Sequence, residues 1–163
     1  LYDQVIWLND SMTCITIKKS KVCIVGSRGV LDKPTPWQRR NIEGIEMIYR
    51  KRVYKIKELL QEAKGKCDIV ILLTHYACTY ATLRGEPPMT YPYLGSRSIE
   101  RVLKGSQIDI AIHGHAHNSH VLEASIGRTK VYNVALPARK CLTRIELHRI
   151  AKKAEGLLRF VNR

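Results

Sequence analysis

Hydrophobic and polar positions alternate in short bursts at the start of the chain and then change period. Gln4–Leu8, Thr13–Lys18 and Lys21–Val25 are brief stretches rich in Val, Ile and Thr, parted by Asn9-Asp10 and Lys19-Ser20. They predict three strands. Gly26-Ser27-Arg28-Gly29 breaks the third. The spacing of Ile42, Ile45, Tyr49, Val53, Ile56, Leu60 and Ala63 then shifts to three or four residues, one apolar stripe of a long helix. That helix is predicted to start near Thr35, with Pro36 at its first position and Gln38 placed for a capping box, and to stop at Gly65.

Farther along, Asp68–Leu73 is a continuous apolar run, the signature of a strand buried on both faces. It ends at Thr74-His75-Tyr76. Residues 77–95 hold Pro87-Pro88, Pro92, Gly85 and Gly95, which predicts a long irregular loop of the kind that usually serves a function. A short helix, Ser96–Lys104, leads to a second buried-type strand, Ile108–Ile112, which runs directly into His113-Gly114-His115-Ala116-His117. Val121–Ala124, Thr129–Val134 and Leu142–Leu147 read as further strands, and Ile150–Arg163 as a basic amphipathic tail. Neither a repeat nor a linker appears, so residues 1–163 read as a single domain with α/β architecture.

Composition changes this picture in two respects. Twenty-eight Lys and Arg against 14 Asp and Glu give a formal charge of +14. Such an excess predicts attraction to polyanions, nucleic acid first and anionic membrane second, with any nucleic-acid contact made to backbone and shape rather than sequence. No apolar run approaches the roughly 20 residues of a membrane helix, which excludes a helical membrane span. The five cysteines, Cys14, Cys23, Cys67, Cys78 and Cys141, are scattered, odd in number and mostly inside apolar runs, which predicts small buried hydrophobes in a reducing, cytoplasmic compartment. The chain opens Leu1-Tyr2-Asp3-Gln4, neither a signal nor a transit peptide, and reads as a fragment or a processed product.

The candidate chemistry lies where the two buried-type strands end. Side chains at the carboxyl ends of neighbouring parallel strands converge on one crevice, and both ends here carry histidine. Gly114 permits a sharp turn before His115, so that His115 and His117 can face the same side as His75. Neutral imidazoles are ligands for Zn, Fe, Mn or Ni. One histidine after a strand is ordinarily a hydrogen-bonded structural residue; four at two strand ends make ligation the better reading. His113, inside its strand, and His120, at the start of the next, suit core or supporting roles. Arg28 sits at a strand end where its fork can grip a phosphate, against the plainer reading of a solvated loop cation. Arg84, Arg97, Tyr91 and Tyr93 are candidates for a substrate mouth, Cys78 for a soft ligand beside His75, and Asp109 for a turn or cap.

An apolar strand ending in Thr74-His75-Tyr76, followed about forty residues later by one ending in Gly114-His115-Ala116-His117, resembles the calcineurin-like metallophosphoesterases. Gly26-Ser27-Arg28-Gly29, the Tyr- and Arg-rich helix and Tyr132-Asn133-Val134-Ala135-Leu136-Pro137 are similar to an archaeal branch of phosphohydrolases. The resemblance spans about residues 20–147. It implies a four-layer double β-sandwich flanked by helices and a site for two divalent metal ions (Mn, Fe or Zn). His75 and His115 would hold one ion, His117 the other, and together they would hydrolyse a phosphomonoester or phosphodiester.

The family's amino-terminal motifs, Asp-x-His, a Gly-Asp motif and Gly-Asn-His-Asp/Glu, do not occur; Leu8-Asn9-Asp10 lacks the Gly and the His. The expectation is therefore a carboxy-terminal portion with an incomplete ligand set. The competing reading is a degenerate relative that keeps the scaffold and acts as a basic RNA- or ribosome-associated protein.

Overall fold

The computed structural model describes residues 5–147. Its centre is one six-stranded sheet. β1 (Ser11–Ile17) and β2 (Ser20–Ser27) form an antiparallel hairpin; β3 (Ile69–Thr74), β4 (Ile110–His113) and β6 (Thr129–Asn133) continue from β2 in parallel; β5 (Glu123–Ile126) closes the far edge antiparallel to β6. The order β1-β2-β3-β4-β6-β5 brings the ends of β2, β3 and β4 side by side.

Alternate residues of the parallel strands enter two separate cores, which is why these strands lack a polar face. Cys23, Val25, Val70, Leu72, Ala111 and Val131 face α2 (Ile45–Lys64) and α3 (Arg97–Ser106), meeting Ile56, Leu60, Ile99 and Leu103. Val22, Ile69, Ile71 and Ile110 face the other way, joined by Ile24, Ile112, Tyr132, Ile145 and Leu147. The predicted α/β organisation holds. Of the four layers expected, the described residues build this sheet and the helical layer against one face.

Three local expectations are corrected. The long helix is two: α1 (Pro36–Asn41) ends where Ile42 turns extended, and α2 starts after Gly44, whose φ is 64°. The stripe spacing is unchanged across this break, because Ile42 still packs on the core from a non-helical backbone. Thr35 and Gln38 do form the capping box. Residues 5–8 and 142–146 form no strand; Ile145 and Leu147 lie on the face of the sheet instead of pairing with an edge. Residues 77–95 are mostly irregular as predicted, with 3₁₀ turns at Ala81–Leu83 and Pro88–Tyr93. The basic tail Ile150–Arg163 and residue Gln4 lie outside the described residues.

Candidate functional site

His75 follows the last residue of β3 and His115 stands two residues past β4, and their rings meet at 4.8 Å between centroids with Tyr76 5.0 Å from His115. Parallel pairing puts them there, since Thr74 is the register partner of His113. The turn is fixed from both strands. Gly114 N–H donates to the His75 carbonyl at 3.2 Å, Ala116 N–H donates to Gly114 O at 2.8 Å, and His115 itself adopts φ 67°.

Charge and burial act on the cluster together. His75 is held below its ordinary pKa by partial burial first, then by the nearby Arg28 guanidinium and by His117. Burial likewise lowers His115, aided by His75 and His117, while a backbone hydrogen bond with Tyr93 and the carboxylate of Glu86 oppose the shift. The structure thus brings Arg28 and His117 within electrostatic reach of His75, and His75 and His117 within reach of His115, with Arg28 just after β2, His75 just after β3 and the other two after β4. Both lowered rings are neutral at pH 7 with a lone pair to offer.

His113, by contrast, is not a ligand. It is fully buried, with Nδ1 2.8 Å from Gly114 O and Nε2 2.7 Å from Thr82 Oγ1. A carbonyl only accepts, so Nδ1 carries the proton and Nε2 accepts from the threonine hydroxyl. Burial drives its pKa to about 4. The folded protein therefore refuses a proton that the unfolded chain takes up near pH 6.5, so stability is lost as pH falls from about 6.5 to 4 and no further below. That loss is on the order of 3 kcal/mol. Denaturant midpoints at pH 7 and pH 4.5 are expected to differ less in His113→Gln than in the native sequence; an equal difference would remove His113 as the cause.

Other supports were invisible in the sequence. Asn133, fully buried, donates from Nδ2 to Ala116 O at 2.8 Å and accepts from Ala135 N–H, tying the histidine turn to β6. Glu86 accepts from Asn118 N–H at 2.8 Å and from Asn118 Nδ2 at 3.0 Å, closing the far side of the same turn. Gln38 completes its cap and donates from Nε2 to Tyr76 Oη at 3.0 Å. A buried hydrogen-bond partner has no sequence signature, because the pairing spans 17 to 38 positions.

Several candidates fall elsewhere. Arg97 stacks over the Tyr80 ring at 4.8 Å and Tyr91 meets the same ring edge-on, so both serve the long loop itself. The Arg84 carbonyl accepts from His120 N–H, a structural tie. Cys78 is buried with its thiol pushed up to about 12, a poor ligand. Asp109 accepts from Val70 N–H, holding β3 against β4 as a cap-like residue.

The donor set offers a divalent metal the imidazoles of His75, His115 and His117, while Glu86, the carboxylate whose charge His115 feels, is engaged by Asn118. Among the described residues, no three ligand atoms that include these histidines lie within 4.8 Å of one another.

A family model for the calcineurin-like phosphoesterases matches residues 3–119. No curated protein matches. Among solved structures, the chain is similar to "Putative 5'-Nucleotidase from Staphylococcus aureus", solved in complex with alpha-ketoglutarate, at 18% identity and TM-score 0.50, over 76% of this chain and 23% of that one. It is also similar to GAP50, the anchor in the inner membrane complex of Plasmodium, at 15% identity and TM-score 0.47, over 78% of this chain and 37% of that one. The chain therefore spans well under half the length of either solved relative.

Proposed function

The chain belongs to the calcineurin-like phosphoesterase family, and from that premise we propose that it contributes part of a dimetal site hydrolysing a phosphomonoester or phosphodiester. One observation carries the reading: His75, His115 and His117 gather at the ends of adjacent parallel strands, with Arg28 beside them. The family uses divalent metals; Mn, Fe or Zn are the proposed ions, His75 and His115 on one and His117 on the other. When bound, such ions supply Lewis-acid polarisation of the phosphoryl group and activation of water.

The chain's own groups do the rest. Neutral His75 and His115 offer lone pairs without competing for a proton at pH 7. The Tyr93 hydrogen bond orients the His115 ring, as partners behind a ligand commonly do. Arg28 presents a fork-shaped cation to the phosphate oxygens, and its loop is held because Tyr76 N–H donates to the Arg28 carbonyl at 3.2 Å. Gly29, at φ 78° with its amide donating to Ser27 Oγ, lets that loop pass close to Thr74.

The test is metal removal from the natural full-length protein. Chelation is expected to abolish hydrolysis of a chromogenic phosphomonoester or phosphodiester, and Mn²⁺ to restore it. Arg28→Ala is expected to raise KM about 10-fold or more, consistent with loss of a charge-assisted pair, with less effect on kcat. Chelator-resistant turnover would overturn the metal assignment, and an unchanged KM the role of Arg28.

A further inference from the structure

Three cysteines from separate stretches meet at the opposite end of the sheet. Cys14 on β1 is the cross-strand register partner of Cys23 on β2, with Cα atoms 4.2 Å apart. Cys67, just before β3, has its Cα 5.9 Å from that of Cys23. The Cys23 sulfur touches both others, the Cys14 and Cys67 sulfurs are 3.5 Å apart, and all three lie within 4.8 Å of one another. This corrects the expectation of five scattered thiols: the chain spacing of 9 and 44 residues conceals one cluster.

The backbone around the cluster is pinned. Lys21 N–H donates to Asp68 Oδ2 at 2.7 Å and Asp68 N–H returns to Lys21 O at 2.9 Å, clamping the start of β2 to the start of β3. Cys23 is fully buried in the helix-side core, and Cys67 packs against it. Cys23 is the register partner of Val70, five residues before His75 and roughly 17 Å away at strand rise, so the cluster is not part of the histidine site.

We propose that Cys14, Cys23 and Cys67 form a second cation site, for one thiophilic ion of the Zn²⁺ or Cu⁺ class. A sulfur makes one S–S bond, so a disulfide engages two of these groups and leaves the third thiol pressed against it. A soft cation engages all three as thiolates. Around an ion with sulfurs at about 2.3 Å, tetrahedral positions put them about 3.8 Å apart. Cys14 and Cys67 stand near that separation, and seating the ion asks only that the Cys23 sulfur draw back from both. The edge position of β1 leaves solvent on the Cys14 side to supply a fourth ligand where Zn²⁺ needs one. Binding releases up to three thiol protons.

The test uses the full chain, reduced and stripped of metal, titrated with Cd²⁺. Thiolate-to-cadmium charge-transfer absorption in the ultraviolet is a signal that imidazoles do not give, and native mass spectrometry counts the ions. One equivalent is expected to saturate the band, and the thermal midpoint to rise with it. Cys14→Ser and Cys67→Ser, both away from the buried centre, are each expected to weaken binding at least 10-fold. The Cys78→Ser, Cys141→Ser and His115→Asn variants are expected to keep the band. Absence of the band in folded protein, its retention in Cys14→Ser/Cys67→Ser, or peptide mapping of native protein that finds Cys23 in a disulfide beside one free thiol would each overturn the proposal.

Discussion

His115→Asn in the natural full-length protein is expected to lower phosphoesterase turnover by more than about 100-fold while leaving the fold intact. The lower bound follows because even residues that only orient a metal ligand cost about 10–100-fold when removed. Asparagine is chosen because His115 adopts φ 67°, a left-handed conformation that asparagine tolerates far better than alanine. The rest of the turn is held by backbone bonds from Gly114 and Ala116 and by Asn133, none of which involves the imidazole. Stability is thus expected to change by no more than about 1 kcal/mol. Circular dichroism and a denaturant midpoint check the fold, and kcat with saturating Mn²⁺ checks the chemistry. If His75 and His115 share one ion, adding His75→Ala to His115→Asn costs little more, since residues acting as a unit are not additive. Full turnover in His115→Asn at unchanged metal content would sink the ligand assignment.

The strands bearing those histidines were legible because parallel strands covered on both faces cannot carry a polar alternation, and Asp68–Leu73 and Ile108–Ile112 show none. Their adjacency was not legible from periodicity; it came from the motif order, and the β3–β4 register bears it out. The break between α1 and α2 escaped because Ile42 keeps its place in the stripe while leaving the helix. Leu142–Leu147 escaped for the opposite reason: Ile145 and Leu147 are apolar at alternate positions yet lie on the face of the sheet, where period two carries no meaning. The cysteine cluster, the Glu86–Asn118 tie and the Asn133 tether all depend on contacts across long chain separations. Local pattern holds no trace of those, and the last two are what gives the histidine turn its shape.

Gly85 tests that last point with the same substitution that elsewhere should be harmless. At φ 117° it occupies a backbone region closed to residues with a Cβ, and a Cβ placed there would stand 2.4 Å from Asn118 O and 2.8 Å from His120 N. Both obstacles are backbone, so no side-chain rotation relieves them. They belong to the segment that follows His117 and is tied back to Glu86 and Arg84. Gly85→Ala is expected to cost about 3 kcal/mol or more, the conformational strain adding to whatever the displaced Glu86–Asn118 bonds contributed. Because the segment that must move adjoins His115 and His117, metal affinity should fall as well, even though residue 85 carries no donor. Gly105, near the end of α3 with nothing within 4 Å of its would-be Cβ, is the control. There alanine is expected to stabilise by up to about 1 kcal/mol, through lower unfolded-state entropy and better helix propensity. Denaturant midpoints for the two variants should therefore move in opposite directions. A Gly85→Ala protein of native stability would mean that the 114–120 segment yields freely, and the rigid presentation of His115 and His117 would fall with it.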